Sequence, residues 1–195
     1  MRKFFILCLF AFPAWVVAQV DVTYELSYDS TTQTYTATMT CNNAYSNPLS
    51  RLASSSQVTV VVPQISGGWQ VVNLTDSTDL QWGFDFLDGS TLGLNQDYLF
   101  FSPQNAGTYT PFPISAGQPV ALFSFQSGTG CQGDLALYEN GSDPLDAVPT
   151  INAENNMVIL GAGPGNTWQA NTSTIVTCIT PSPGGCEADA GTLSY

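Results

Sequence analysis

Val20, Val22, Tyr24, Leu26 and Tyr28 alternate along the chain with Asp21, Thr23, Glu25 and Ser27. A period of two places each set on its own face of a strand, so this segment reads as a half-buried β-strand. Residues 29–33 are polar and turn-like. The alternation then resumes, with Tyr35, Ala37, Met39 and Cys41 set against Thr34, Thr36, Thr38 and Thr40. The two runs predict a β-hairpin with Cys41 on its apolar face. Further strand-like runs occupy residues 58–62, 69–74, 81–87, 98–101, 119–125, 134–138, 157–160 and 174–178. Glycine-containing turns at 66–68, 88–90, 105–107, 115–117, 140–142 and 163–165 punctuate them. Helical spacing is nearly absent, and residues 145–155 leave room for one short helical turn.

About ten short strands predict one all-β domain, a β-sandwich of jelly-roll or immunoglobulin-like arrangement with about 9–10 strands. A closed barrel is the alternative. An outer-membrane barrel would use strands of about 9–11 residues, longer than most of these runs. A domain of this length buries about 70 % of its unfolded surface, ample for a core.

The ends differ in kind. Residues 1–18 combine Arg2 and Lys3 with an apolar run over 4–12 and Val16-Val17-Ala18 at the end, the pattern of a signal peptide. Residues 19–179 form the predicted sandwich domain. Residues 180–195 read as a Pro- and Gly-rich linker and the start of a truncated further module. The expected localisation is secreted or cell-surface. No later stretch reaches the roughly 20 apolar residues of a membrane-spanning helix.

Charge narrows the chemistry. The chain of 195 residues has 3 Lys or Arg, 15 Asp or Glu, no His, and a formal charge of -12. Loss of the leader leaves Arg51 as the sole cation against 15 carboxylates. Without His there is no Ser-His-Asp or Cys-His centre. A single cation cannot neutralise a phosphate backbone, so nucleic acid is a poor partner, and insertion into a membrane is not expected. The carboxylates are read as solubilising surface charge, with no catalytic residue assigned and no enzyme activity expected.

Four cysteines lie outside the leader: Cys41, Cys131, Cys178 and Cys186. An even number in an exported chain suggests two disulfides. The turn-rich segment between Cys178 and Cys186 favours their pairing, leaving Cys41 with Cys131. For other ligands, the loop carrying Glu139, Asn140, Asp143 and Asp146 offers the oxygen donors that calcium prefers, without EF-hand spacing. Calcium is the only cofactor considered. The 4 Trp, 8 Tyr and 11 Phe raise the prospect of sugar stacking. Trp168 sits in a polar loop and is the first candidate for ligand contact, followed by Trp69 at a strand start and Tyr109 in a Pro-containing loop. Trp82, Phe84 and Phe86 share one strand face and are assigned to the core.

The run Val22-Thr-Tyr-Glu-Leu-Ser-Tyr-Asp29 with Thr34-Tyr-Thr-Ala-Thr-Met39 resembles the first hairpin of secreted surface proteins of the Bacteroidota. Gly117-Gln-Pro-Val-Ala-Leu-Phe-Ser-Phe125 resembles their core strand and a late strand of cohesin-like domains. Cys186-Glu-Ala-Asp-Ala-Gly-Thr-Leu-Ser194 is similar to the start of a module repeated in adhesin and gliding-motility-associated proteins of that group. The resemblance implies an N-terminal cohesin-like β-sandwich module of a longer parent chain, without catalysis, serving adhesion or protein assembly. Its partner would be an extracellular protein or polysaccharide. A carbohydrate-binding module, attached elsewhere to a glycoside hydrolase, is the alternative. No dockerin-contacting residue can be carried over, because no position matches a specific motif.

Overall fold

A computed structural model describes residues 20–43, 51–52, 55–78, 80–104, 114–160, 165–173 and 175–179. The predicted leader, the predicted C-terminal linker, Tyr109 and Cys186 lie outside the described residues.

Eleven strands are present among the described residues: β1 (Val22–Asp29), β2 (Thr34–Cys41), β3 (Arg51–Leu52), β4 (Val58–Pro63), β5 (Val71–Asp76), β6 (Trp82–Leu87), β7 (Gln96–Pro103), β8 (Pro119–Ser127), β9 (Ala136–Leu137), β10 (Ile159–Leu160) and β11 (Trp168–Asn171). One sheet runs β11-β1-β2-β8-β5 and a second runs β6-β7-β4-β9, while β10 and β3 form a separate pair. The predicted hairpin pairs in full, from Val22 opposite Cys41 to Asp29 opposite Thr34. Its sequence alternation becomes burial alternation, with Tyr35, Ala37, Met39 and Cys41 buried and the intervening threonines half-exposed.

The two sheets face each other across one core. Val22, Tyr24, Leu26, Met39 and Phe123 of the first sheet cluster with Val58, Val60, Leu99 and Phe101 of the second. Phe101 ties the layers together, its ring centroid 4.4 Å from that of Phe123 and 4.9 Å from that of Phe125. Trp82 joins them at 4.9 Å from Phe123. The fold is therefore an all-β sandwich.

The outer faces of the sheets are treated differently. On the four-stranded sheet, Tyr98 of β7 clusters with Tyr138, Leu145 and Ala153, forming a second, smaller core beneath the segment that follows β9. A 3₁₀ turn at Pro144–Ala147 lies in that segment, capped by the Asp143 carboxylate accepting from Leu145 N–H. This is the short helical turn predicted for residues 145–155. Asn155, wholly buried, anchors the segment. It accepts from Thr59 N–H at 2.8 Å and donates to the Tyr138 carbonyl at 2.7 Å. On the five-stranded sheet the outward positions Thr36, Thr38 and Thr40 of β2 and Ser124 and Gln126 of β8 are half-exposed, while Glu25 and Ser27 of β1 are exposed.

Three sequence expectations need correction. Of the run 174–178, read as a strand, the described residues 175–178 contribute only an isolated bridge between Val176 and Leu135. The stretch around Trp168, read as a loop, supplies edge strand β11 parallel to β1. The Asn166 side chain accepts from both Met157 N–H and Trp168 N–H, and this local turn directs the chain onto the sheet edge. The preferred cysteine pairing also fails: Cys178 bonds to Cys131, with their Cα atoms 5.6 Å apart, and Cys41 is a buried free thiol. The β1–β2 pairing draws Cys41 into the core, while the Val176–Leu135 bridge brings Cys178 to the loop after β8. Burial pushes the Cys41 thiol up to about 11, which makes it a poor nucleophile.

Candidate functional site

Trp69 and Trp168, singled out for sugar contact, both pack on the main core, and Tyr109 lies outside the described residues. Trp69 is almost fully buried, and its indole N–H donates to the Pro63 carbonyl at 2.9 Å, so its ring is a core element and offers no stacking face. Trp168 is half-buried and packs on the main core, with its indole nitrogen buried and unpartnered.

The proposed calcium loop is assembled, and each of its four side chains takes part in at least one protein hydrogen bond. Asp143 accepts from Tyr98 O–H at 2.7 Å and from Gln96 Nε2 at 3.1 Å. Asp146 accepts from Tyr138 O–H at 2.7 Å. The Asn140 amide exchanges hydrogen bonds with the Asn155 backbone, and Glu139 accepts from Asn171. Desolvation first, and then the partner carboxylates, hold both tyrosine hydroxyls far above their ordinary range, so each remains a donor. No group of three or more Cys, His or acidic side chains among the described residues is placed to hold a metal. Melting curves with excess calcium and with chelator are accordingly expected to superimpose. A rise of several degrees with calcium would show that the loop takes the ion.

A cleft of about 490 Å³ opens instead where β4, β6 and β7 end together. Its walls are the turn Gln64 to Gly68, the end of β6 at Phe86, and the loop carrying Asp88 and Ser90, with Asp97 of β7 at its side. Gly67 and Gly68 turn the chain at φ values of 89° and 76°, a region that L side chains rarely adopt. Gly68 lies against Phe86, whose ring atoms are 3.4 and 3.5 Å from the position a Cβ would take, an ordinary contact distance. Phe86 is 38 % exposed, although its strand parity placed it in the core. Trp82 and Phe84 meet the main core from the same face, but two residues further on the strand has reached the cleft.

Asp88 caps a 3₁₀ turn at Gly89–Leu92, with Oδ1 accepting from Ser90 N–H at 2.9 Å and from the Ser90 hydroxyl. Its Oδ2 takes part in none of the described hydrogen bonds. Asp97 is only 3 % exposed and accepts from Gly89 N–H at 3.0 Å. That contact demands glycine at 89, since a Cβ there would fall 1.9 Å from the Gln96 carbonyl oxygen. Desolvation, reinforced by the neighbouring Asp88 charge, raises the Asp97 pKa despite the Gly89 hydrogen bond.

The sign of the linkage follows. A carboxyl whose folded pKa exceeds its unfolded value loses stability as pH rises between the two, and the cost is full above the folded value. Asp97→Asn keeps an acceptor for Gly89 N–H and removes the desolvated charge. We expect it to match or exceed the wild type in urea unfolding at pH 7 and to lose any advantage at pH 3. Equal destabilisation at both pH values would refute this account of Asp97. The sequence pattern missed the cleft because its members are scattered over 34 positions and belong to two separate turns and two strands.

No family model matches the chain, and no curated protein matches it. Among solved structures it is similar to a chain of a CaDoc0917–CaCohA2 complex, with 12 % identity and a TM-score of 0.35, covering 81 % of this chain and 99 % of that one. It is also similar to the seventh ScaB type I cohesin from Pseudobacteroides cellulosolvens, with 12 % identity and a TM-score of 0.36, covering 84 % and 95 %. No functional conclusion rests on these likenesses.

Proposed function

We propose that this chain is a non-catalytic β-sandwich module, exported to the cell surface or medium, that holds an extracellular protein partner in adhesion or assembly. The observation that carries this reading is the contrast between the two outer sheet faces. The four-stranded sheet is sealed by the segment after β9. The five-stranded sheet leaves hydroxyl and amide side chains of β1, β2 and β8 accessible in adjacent rows. Threonine and serine side chains, which dominate this face beside Glu25 and Gln126, have little rotamer entropy to lose on docking. The committed carboxylates and the unreactive Cys41 thiol support a holding role over a chemical one. Within the assembly reading, an acidic surface favours a partner that presents cations at the rim.

The test is capture of surface and secreted proteins from the producing organism on immobilised protein, comparing wild type with Thr38→Arg combined with Ser124→Arg. A species retained by wild type and lost from the variant supports docking on this face. Equal retention, or none, counts against it.

A further inference from the structure

We propose that the cleft beside Phe86 binds a neutral sugar residue of an extracellular polysaccharide, independently of any partner on the five-stranded sheet. The argument begins with an aromatic ring that the fold leaves exposed. Phe86 lies at a strand position whose parity would bury it, yet 38 % of its surface is open, and Gly68, next to its ring, carries no side chain. Sugars present an apolar face of ring C–H groups and a polar edge of hydroxyls, so their sites pair an aromatic platform with a few oriented polar groups. The cleft supplies that pairing. With Phe86, the cleft is lined by Gln64, whose Nε2 donates to the Leu94 carbonyl at 2.9 Å, by Ser66 and Ser90, and by Asp88. Asp88 Oδ1 is fixed by Ser90, which orients the carboxylate and leaves Oδ2 to accept from a ligand hydroxyl. A volume of about 490 Å³ lies within the range of about 300–1,000 Å³ found for small-ligand sites.

Charge selects among sugars. The cleft is lined by two carboxylates and by no Lys or Arg, so uronic acids and sulfated sugars would be repelled. A cationic peptide side chain is the competing occupant. It is the weaker fit because Asp97, the deeper carboxylate, is buried and bonded to Gly89 N–H. A cation would find one exposed carboxylate, Asp88, whereas a sugar hydroxyl needs only an acceptor oxygen.

The experiment is a titration of the whole ¹⁵N-labelled protein, disulfide intact, with hexasaccharides of glucose, xylose and mannose as neutral probes. Oligogalacturonate serves as the anionic probe and N-acetyl-arginine amide as the cationic one. We expect saturable shifts of the Gly68, Gly89 and Ser90 amides with at least one neutral probe, and none with the anionic one. Phe86→Ala and Asp88→Asn, both in the cleft wall, should each weaken that binding by about tenfold, equivalent to about 1.4 kcal/mol, while the melting temperature falls by no more than about 4 °C. No saturable shift with any neutral probe would overturn the proposal. So would a response to the cationic probe alone, or sugar binding that survives Phe86→Ala unchanged. The five-stranded face is untouched by these variants, so failure here leaves the partner-docking test standing, and the reverse holds.

Discussion

Phe123→Ala is expected to destabilise the sandwich by about 4 kcal/mol, the cost of removing a fully buried aromatic side chain and leaving a cavity. Phe123 is completely inaccessible, and its ring meets Phe101 of the opposite sheet, Trp82 of β6 and Phe125 of its own strand. Truncation would therefore open a void at the junction of both layers, where neither sheet can collapse without breaking its ladder. For a domain of this size the melting temperature should fall by about 8–16 °C. Phe86→Ala provides the comparison. The same chemical change at a half-open position should cost no more than about 1 kcal/mol, in the range of surface substitutions. Equal losses for the two variants in urea unfolding would contradict the burial assigned to each.

Removal of the Cys131–Cys178 bond should have an effect of similar size. The cysteines are 47 residues apart in sequence, and closing a loop of that length restricts the unfolded chain by about 4 kcal/mol in the entropic account. Cys131→Ser combined with Cys178→Ser is expected to lower the melting temperature by about 8–16 °C. The same loss should follow from reduction of the wild type. Non-reducing peptide mapping should recover a Cys131–Cys178 cross-link, and alkylation should reach Cys41 only after unfolding. A Cys178–Cys186 cross-link would restore the pairing expected from sequence spacing and overturn this one.

The contrast between Phe123 and Phe86 also marks how far the sequence could be read. Period-two alternation located β1 and β2 because both strands have one face in the core and one in solvent, and the all-β sandwich followed from the run of such segments. Alternation reports only which face of a strand a residue takes. It does not report where along the strand the core ends, so Phe86 was grouped with Trp82 and Phe84 although it lies at the cleft. Edge strand β11 escaped notice because its four residues Trp168, Gln169, Ala170 and Asn171 show no alternation and depend on Asn166 for their direction. The cysteine pairing was misjudged for a related reason: proximity in sequence was available, whereas the Leu135–Val176 bridge that sets proximity in space was not. The acidic loop was recognised as a unit. Its carboxylates, however, serve Tyr98 and Tyr138, partners that no local pattern could reveal.

The Cys131–Cys178 bond also determines how the domain would carry load. Tension applied between Val20 and the chain at Cys178 passes along the backbone to Cys131 and then through the sulfur bridge. The loop between the two cysteines lies outside this covalent path and meets the load only through noncovalent pairing, such as that of β11 with β1. While the bridge is intact such a pull cannot draw that loop out, so the extensible length of the oxidised domain is shortened by it.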